Sequence, residues 1–355
     1  MRGEEISATT LEEYFACPYS NFIKNAIKLK SSETGEMQHN EIGTMLHELV
    51  ELYAKRVEEV TSKETSDAIV EEITASIYAK EEYAKYLEKP SYKYVFNKML
   101  KEGKKACYDV YKTFKDSGFK PYLFEAKFGK DKPREAISLT TKTGNYKVKG
   151  AIDRVDIADD KIRIIDYKSG KVHPDNESFY TGNNLQLYLY MNALTREGFI
   201  PAGAYYFPIK DDYVNEEDVK SFIMHGNTVN DAEILKLSDY KLGEGKNSDI
   251  VNVKLTSKGV PHTSWSRVLS RSEMNAYVDY ALKIASKGVD EINAGYIKAT
   301  PYNPKNKCAY CEYAGLCSTN LKETDGRKVS DIKTQTVVDA VEYENNKNND
   351  TEGNA

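Results

Sequence analysis

No run of apolar residues in this 355-residue chain approaches the roughly 18 needed to cross a membrane. No basic-then-apolar leader opens it, so the expected compartment is the cytoplasm. No G-x4-G-K-[ST] occurs, so no ATP site of that type is expected. No internal repeat is evident, which excludes solenoids and propellers. A broad basic coat is also missing: 50 Lys and Arg stand against 55 Asp and Glu, a net charge of −5. That argues against wide electrostatic wrapping of nucleic acid. It leaves room for a local groove, because an enzyme that neutralises phosphates with metal needs less Lys and Arg. Cysteine is scarce, with five copies, yet Cys308, Cys311 and Cys317 cluster. In a cytosolic chain disulfides are disfavoured, and clustered cysteines point to metal.

The densest chemistry lies in Tyr146–Lys171, YKVKGAIDRVDIADDKIRIIDYKSGK. Val148–Ala158 and Lys161–Tyr167 are rich in Val and Ile. Asp159-Asp160 separates them as a polar turn, the pattern of a β-hairpin. If Ala158 pairs with Lys161, Asp153 stands opposite Asp166. Opposed residues share a sheet face with Cβ atoms about 4.5–5.5 Å apart. Lys168, two residues beyond Asp166, shares that face. Two carboxylates so close repel unless a cation sits between them. A hard divalent ion such as Mg²⁺ takes one or two carboxylates and completes its shell with water and phosphate oxygens. With a lysine beside it, this is machinery for hydrolysing a phosphodiester. Taken alone, the same residues also describe a surface ion-pair ladder.

Upstream, Thr9-x-x-Glu12 is a capping-box signal, with Leu11, Tyr14 and Phe15 at helical spacing. Ser31–Asn40 reads as a polar loop. Ile42–Val60 reads as an amphipathic helix, and Gly43-x-x-x-His47 sets a small residue one turn below a histidine. Alone, His47 is a capped or core histidine. Thr61–Ser117 reads as polar helices broken at Lys89-Pro90, with Cys107 a packed thiol among them. Phe119–Gly129 reads as a strand carrying Glu125. Downstream, Gly182–Leu194 is a helix with Gln186 and Tyr190 on one face. Ala202–Ile209 is a buried strand, Asp211–Asn247 an irregular insertion, and Ile250–Leu255 a strand. Ser270–Ala294 is a long helix opened by a capping box. Leu321–Ala355 is acidic, Asn-rich and without a core pattern, so a disordered or weakly structured tail is expected. The order predicts an α/β fold, a sheet with the hairpin in its middle and helices around it.

Taken together, Gly43-x-x-x-His47, Glu125, Gly150-x-x-Asp153-Arg154-x-Asp156, Asp166-Tyr167-Lys168 and Gln186-x-x-x-Tyr190 resemble the RecB-like branch of the PD-(D/E)XK nucleases. A lone Cys17 in an ACPY context and Cys308-x2-Cys311-x5-Cys317 narrow the resemblance to iron–sulfur-stapled nuclease domains of the AddB type. It runs from about Ile6 to Cys317. It implies a restriction-endonuclease-like core with a mixed sheet over 1–320, a helical insertion at 61–118, and a metal-dependent DNA exonuclease. His47, Asp153 and Asp166 match the ligands of Mg²⁺ or Mn²⁺, and Lys168 the catalytic lysine. Gln186 and Tyr190 match the helix that supports the site and contacts DNA. Glu125 matches an acidic position whose role the resemblance leaves open. Asp156 fits the motif, but in a regular strand it faces away from Asp153 and reads as structural, paired with Arg154 or Arg163.

The resemblance further implies a [4Fe–4S] cluster on Cys17, Cys308, Cys311 and Cys317, stapling the N- and C-terminal segments. Spacing alone admits zinc as well. The implied partners are DNA, as single strands or duplex ends, and an AddA-type helicase in double-strand-break repair and recombination. AddB-type chains carry a helicase-like region ahead of this domain, whereas here the motifs begin at Ile6. A separated nuclease portion and a stand-alone relative both fit, as does an independent exonuclease of the CRISPR-associated RecB-like kind. A non-catalytic DNA-binding scaffold fits less well, since it has no need of the acidic residues and lysine together.

Overall fold

The computed structural model describes residues 5–352 except 30–38, 88, 171–173, 211–221, 304–306, 318–325 and 328. Most of the polar loop expected at Ser31–Asn40 lies outside the described residues. The helices are α1 (Ala8–Ala16), α2 (Pro18–Asn21), α3 (His39–Ala54), α4 (Lys63–Tyr78), α5 (Glu81–Leu87), α6 (Pro90–Lys115), α7 (Asn176–Tyr180), α8 (Gln186–Thr195), α9 (Ala232–Ser238), α10 (Arg271–Asn293) and α11 (Thr334–Glu352). None is long and apolar enough to cross a membrane.

The sheet is built on one long strand. Its members are β1 (Glu5–Ser7), β2 (Lys120–Phe128), β3 (Ile137–Thr141), β4 (Gly144–Ala158), β5 (Lys161–Lys168), β6 (Ile200–Pro208), β7 (His225–Val229) and β8 (Val268–Leu269). The first part of β4 pairs with β1 in parallel and with β3 antiparallel. The rest pairs antiparallel with β2 and β5. The path continues β4-β5-β6-β7-β8, with β5–β6 and β7–β8 parallel and β6–β7 antiparallel. Parallel neighbours need a crossover connection, and α7 and α8 supply it between β5 and β6.

Two apolar layers flank this mixed sheet. One gathers Leu11 of α1, Met191 of α8, Ala281 of α10 and Val337 of α11 over Ile164 and Ala204. The other gathers Leu46 of α3, Val70 of α4 and Cys107 of α6 over Ile165, Tyr167 and Phe207. Successive strand residues point to opposite faces, so a strand covered on both sides is buried without a break, as Ile162 to Tyr167 are in β5. The helices of 61–118 thus form the wall of the second layer, with Cys107 fully buried in it.

Four expectations are corrected. Ser7, not Thr9, caps α1, accepting from the Thr10 N–H at 3.0 Å. The stretch expected to be irregular contains β7 and α9. Ile250–Leu255 forms only isolated bridges. Its Ile250 and Val251 amides donate to the Ser248 hydroxyl and are lost to a ladder. The expected disordered tail is helical over Thr334–Glu352, where Val337 is fully buried and the Lys283 ammonium donates to the Ala340 carbonyl at 2.7 Å. Val337, with Ala340 and Val341 partly buried beside it, docks the first turns of a helix whose remainder is polar.

Candidate active site

The hairpin register is the one the sequence predicts: the β4–β5 ladder runs from Ala158↔Lys161 to Arg154↔Ile165. It ends there, one residue short of Asp153 and Asp166. The Tyr167 N–H instead donates to Asp153 Oδ2 at 2.8 Å. Alternation also breaks at this point. Ile152 and Val155, three apart, both join the α8-side core, and so do Leu123 and Ala126 of β2. Each strand therefore slips by one position, around Asp153 and Glu125. Glu125 has a φ of +45°. The left-handed region costs a non-glycine residue roughly 1–2 kcal/mol, a strain that surrounding structure must hold. The slip makes a fork at the strand ends that both helical layers reach.

From the second layer, α3 brings His47, whose Nδ1 lies 3.5 Å from Asp153 Oδ2. Gly43, one turn earlier, lets α3 approach the end of β5: a Cβ there would sit 2.9 Å from Ser169 Oγ. From the first layer, α8 brings Gln186, whose Nε2 donates to Asp166 Oδ1 at 2.7 Å. Asp166 is 3% exposed. Its Oδ2 is buried and accepts no well-aligned hydrogen bond, although the Lys168 ammonium makes ion-pair contact with it. Tyr190, one turn along α8, lies over Gly150. A Cβ on Gly150 would be 2.6 Å from the Tyr190 hydroxyl and 2.8 Å from the Phe128 ring.

Electrostatics follow from this crowding. Burial, then Asp153, pushes the Asp166 carboxyl up to about 6, against Lys168 and His47. Burial pulls the Lys168 ammonium down, but Asp166, Asp153 and Glu12 more than reverse it, so Lys168 is a cation at neutral pH. Burial, then Asp153 and Glu51, raises Glu125. Burial raises the Tyr190 phenol far above its usual value, aided by Asp166, Glu12 and Asp153.

His47, Glu125, Asp153, Asp166, Lys168, Gln186 and Tyr190 thus come together. Glu12 and Glu51 join them unannounced. Burial pushes Glu12 up to about 7, while the Gln186 and Leu185 N–H groups and Lys168 pull it down. The signal for Glu12 was its capping-box position, read as local when Ser7 already does the capping. Asp156 stands apart on the opposite face. It takes Arg154 through Nε and Nη2, both at 2.6 Å, and Arg163 Nε at 2.7 Å, all fully buried. It pairs with both arginines rather than one.

Among the described residues, no three His, Cys, Asp or Glu side chains already stand at ligand spacing. The chemistry of the fork nonetheless suits a hard divalent ion: carboxylates crowd together, one imidazole joins them, and a buried Asp166 oxygen lacks an aligned donor. The cysteines gather separately. None is disulfide-bonded. The Cys308 thiol is raised by burial, then by Cys17, Cys311 and Cys317, so thiols from both segments lie within electrostatic reach of it. Nearby, the Tyr302 N–H donates to the Ala16 carbonyl at 2.8 Å, the Tyr19 hydroxyl to the Leu316 carbonyl at 3.1 Å, and Arg327 Nη2 to the Phe15 carbonyl. An all-sulfur donor set suits zinc or an iron–sulfur cluster.

Comparison with known proteins agrees with this geometry. The PD-(D/E)XK nuclease superfamily matches residues 5–318. Proteins named as one subunit of an ATP-dependent helicase/deoxyribonuclease are similar over nearly the whole chain. The one from Bacillus velezensis is 29% identical over 96% of this chain and 32% of its own length. That from Bacillus subtilis is 27% identical over the same shares, and that from Clostridium kluyveri 26% over 92% and 31%. The chain spans about a third of the length of these relatives. A match across the fork, both helical layers and the cysteine segment places the chain in the PD-(D/E)XK nuclease superfamily.

Proposed function

We propose that the chain is a Mg²⁺- or Mn²⁺-dependent DNA exonuclease that works in the cytoplasm in double-strand-break repair, as the nuclease part of an AddB-type protein with an AddA-type helicase. The observation that carries this reading is Asp166: buried, held on one side by Gln186, with its other oxygen unaligned to any donor but touching Lys168. His47, Asp153 and Asp166 would hold the ion. When bound, it supplies Lewis-acid stabilisation of phosphate charge and lowers the pKa of water. Lys168 stays protonated, so it acts as a fixed cation that steadies an oxygen on the phosphate. Gln186 fixes the rotamer of Asp166, and Tyr190 packs beneath it. The four cysteines would hold a [4Fe–4S] cluster that joins the chain ends.

The test is hydrolysis of single-stranded DNA with Mg²⁺ or Mn²⁺, in the wild-type protein and in Asp166→Ala and Lys168→Ala. Activity should need the metal and vanish in both variants. Cleavage that persists in excess chelator, or survives both substitutions, would sink the reading.

A further inference from the structure

The N-terminus of α8 is capped from another helix. The first N–H groups of a helix have no partner within it. The residue preceding α8 is Leu185, which has no side chain able to accept them, and no side-chain cap is present there. Glu12 of α1, far away in sequence, fills the place: its Oε1 accepts the Gln186 N–H at 2.9 Å. A carboxylate at that end also meets the positive pole of the helix. Gln186 then uses its side chain in the other direction, donating Nε2 to Asp166 Oδ1 at 2.7 Å. Two hydrogen bonds stand in series, Glu12 to the Gln186 backbone and the Gln186 side chain to Asp166.

We infer that Glu12 is a positioning residue of the hydrolytic site, fixing the first turn of α8 so that Gln186 holds Asp166 ready for a metal ion and Lys168. This rests on the nuclease reading above. Glu12 acts through Gln186 and is not among the residues that would hold the ion. Its α1 neighbours Leu11, Tyr14 and Phe15 are core residues, which keeps the helix rigid and the carboxylate in place. A purely structural Glu12 would affect melting alone. A positioning Glu12 affects metal affinity and kcat through Gln186.

The experiment compares Glu12→Ala, Glu12→Gln, Gln186→Ala and the double variant Glu12→Ala/Gln186→Ala in the full chain. It reads Mn²⁺ affinity by titration, kcat and KM on single-stranded DNA, and thermal melting. Partners behind a metal ligand typically contribute about 10–100-fold in affinity or activity. Glu12→Ala should therefore lose about tenfold or more in Mn²⁺ affinity and kcat, with KM for DNA little changed. Glu12→Gln keeps an oxygen for the Gln186 N–H and should recover most of the loss. In the Gln186→Ala background, Glu12→Ala should cost little more, since the two bonds act in series. Wild-type affinity and kcat in a folded Glu12→Ala protein would overturn the inference, and so would full additivity in the double variant. If Glu12→Ala does not fold, Glu12→Asp, whose carboxylate is one methylene shorter, carries the same comparison: reduced Mn²⁺ affinity supports the role and wild-type affinity removes it. Wild-type protein that neither binds Mn²⁺ nor cuts DNA would instead defeat the nuclease reading itself.

Discussion

The Tyr167 N–H donates to Asp153 Oδ2 at 2.8 Å, at the place where β4 and β5 stop pairing. The ring of the same tyrosine lies in the second layer beside His47, and its hydroxyl accepts from Arg154 Nη1 at 3.3 Å. Tyr167 therefore joins two charge clusters of opposite purpose. On one side is the acidic fork. On the other is a buried Arg154–Asp156–Arg163 group whose surplus is positive, with Arg154 also 4.0 Å from the centre of the Phe114 ring.

That opposition separates two neighbouring aspartates by phenotype. Removing one partner of a buried ion pair costs roughly 3–5 kcal/mol, because the charge left behind is uncompensated. Asp156→Ala strands two buried arginines and should lower stability by about that much in urea unfolding. Metal affinity in whatever folded protein remains should stay near wild type. Asp153→Ala should cost less stability, about 1–3 kcal/mol for the Tyr167 N–H left without its acceptor, while metal-dependent cutting disappears. An Asp156→Ala protein with normal stability would show that the arginines find other partners.

Much of this was legible in the sequence, and the gaps have physical causes. The hairpin register followed from period-two alternation and a polar turn, and α10 from Ser270 and Glu273, which form the full capping box. β7 was not legible because two of its buried residues, Asn227 and Thr228, are polar. Asn227 donates to the Tyr188 hydroxyl at 2.5 Å, and the Tyr205 hydroxyl bonds Thr228 Oγ1 at 2.8 Å. A strand that satisfies polar side chains across the core has no apolar alternation to read. Gly226 in β7 marks a close approach, since a Cβ there would lie 2.0 Å from the Ala204 carbonyl oxygen. The left-handed Glu125 is a tertiary event with no local signature, and the remote cap from Glu12 lay behind a capping-box signal that reads as local.

Two motif glycines should respond differently to the same substitution. Gly150→Ala places a methyl against the Tyr190 hydroxyl and the Phe128 ring, which are packed edge to face with centroids 4.9 Å apart. Neither ring can rotate away, and overpacking of this kind costs roughly 1–3 kcal/mol. Tyr190 should shift, and kcat on DNA should fall along with the melting temperature. Gly43→Ala meets only the Ser169 hydroxyl, which can turn aside, so its loss should be the smaller on both measures. Equal effects would mean that the fork tolerates movement of α8 as easily as a hydroxyl rotation.

Metal uptake should depend on pH in the direction set by Asp166. Burial and Asp153 push its carboxyl up to about 6. Below that value the free protein carries a proton there, and a divalent ion must displace it. For one displaced proton, apparent Mn²⁺ affinity should fall by about tenfold per pH unit below 6 and level off above 7. Calorimetry at pH 6 in buffers of different ionisation enthalpy should show net proton release on binding. Affinity that is flat from pH 5 to 8 would mean Asp166 is already ionised, or is not a ligand.

The last prediction concerns the cysteines and the helix that leads from them to the fork. Cys17 closes α1, its own N–H donating to the Glu13 carbonyl, and Glu12 lies beside that residue. Anaerobically purified protein should be brown, with iron and acid-labile sulfide in near-equal amounts. Cys17→Ser should lose the colour as completely as Cys311→Ser, since each removes one of four ligands. Cys107→Ser should leave it untouched, because that thiol is fully buried in the other layer. Without the cluster, the Arg327 and Tyr302 hydrogen bonds to α1 still hold the chain ends together. The fold should therefore loosen rather than collapse, with earlier melting and faster proteolysis near Cys17 and after Ala294. Activity should fall further than Mn²⁺-free stability alone explains, because a displaced α1 carries Glu12 away from the Gln186 N–H. Zinc in place of iron under strictly anaerobic preparation would change the cofactor and keep the staple. A Cys17→Ser protein with full iron content would remove the staple, and with it this route from the chain ends to Asp166.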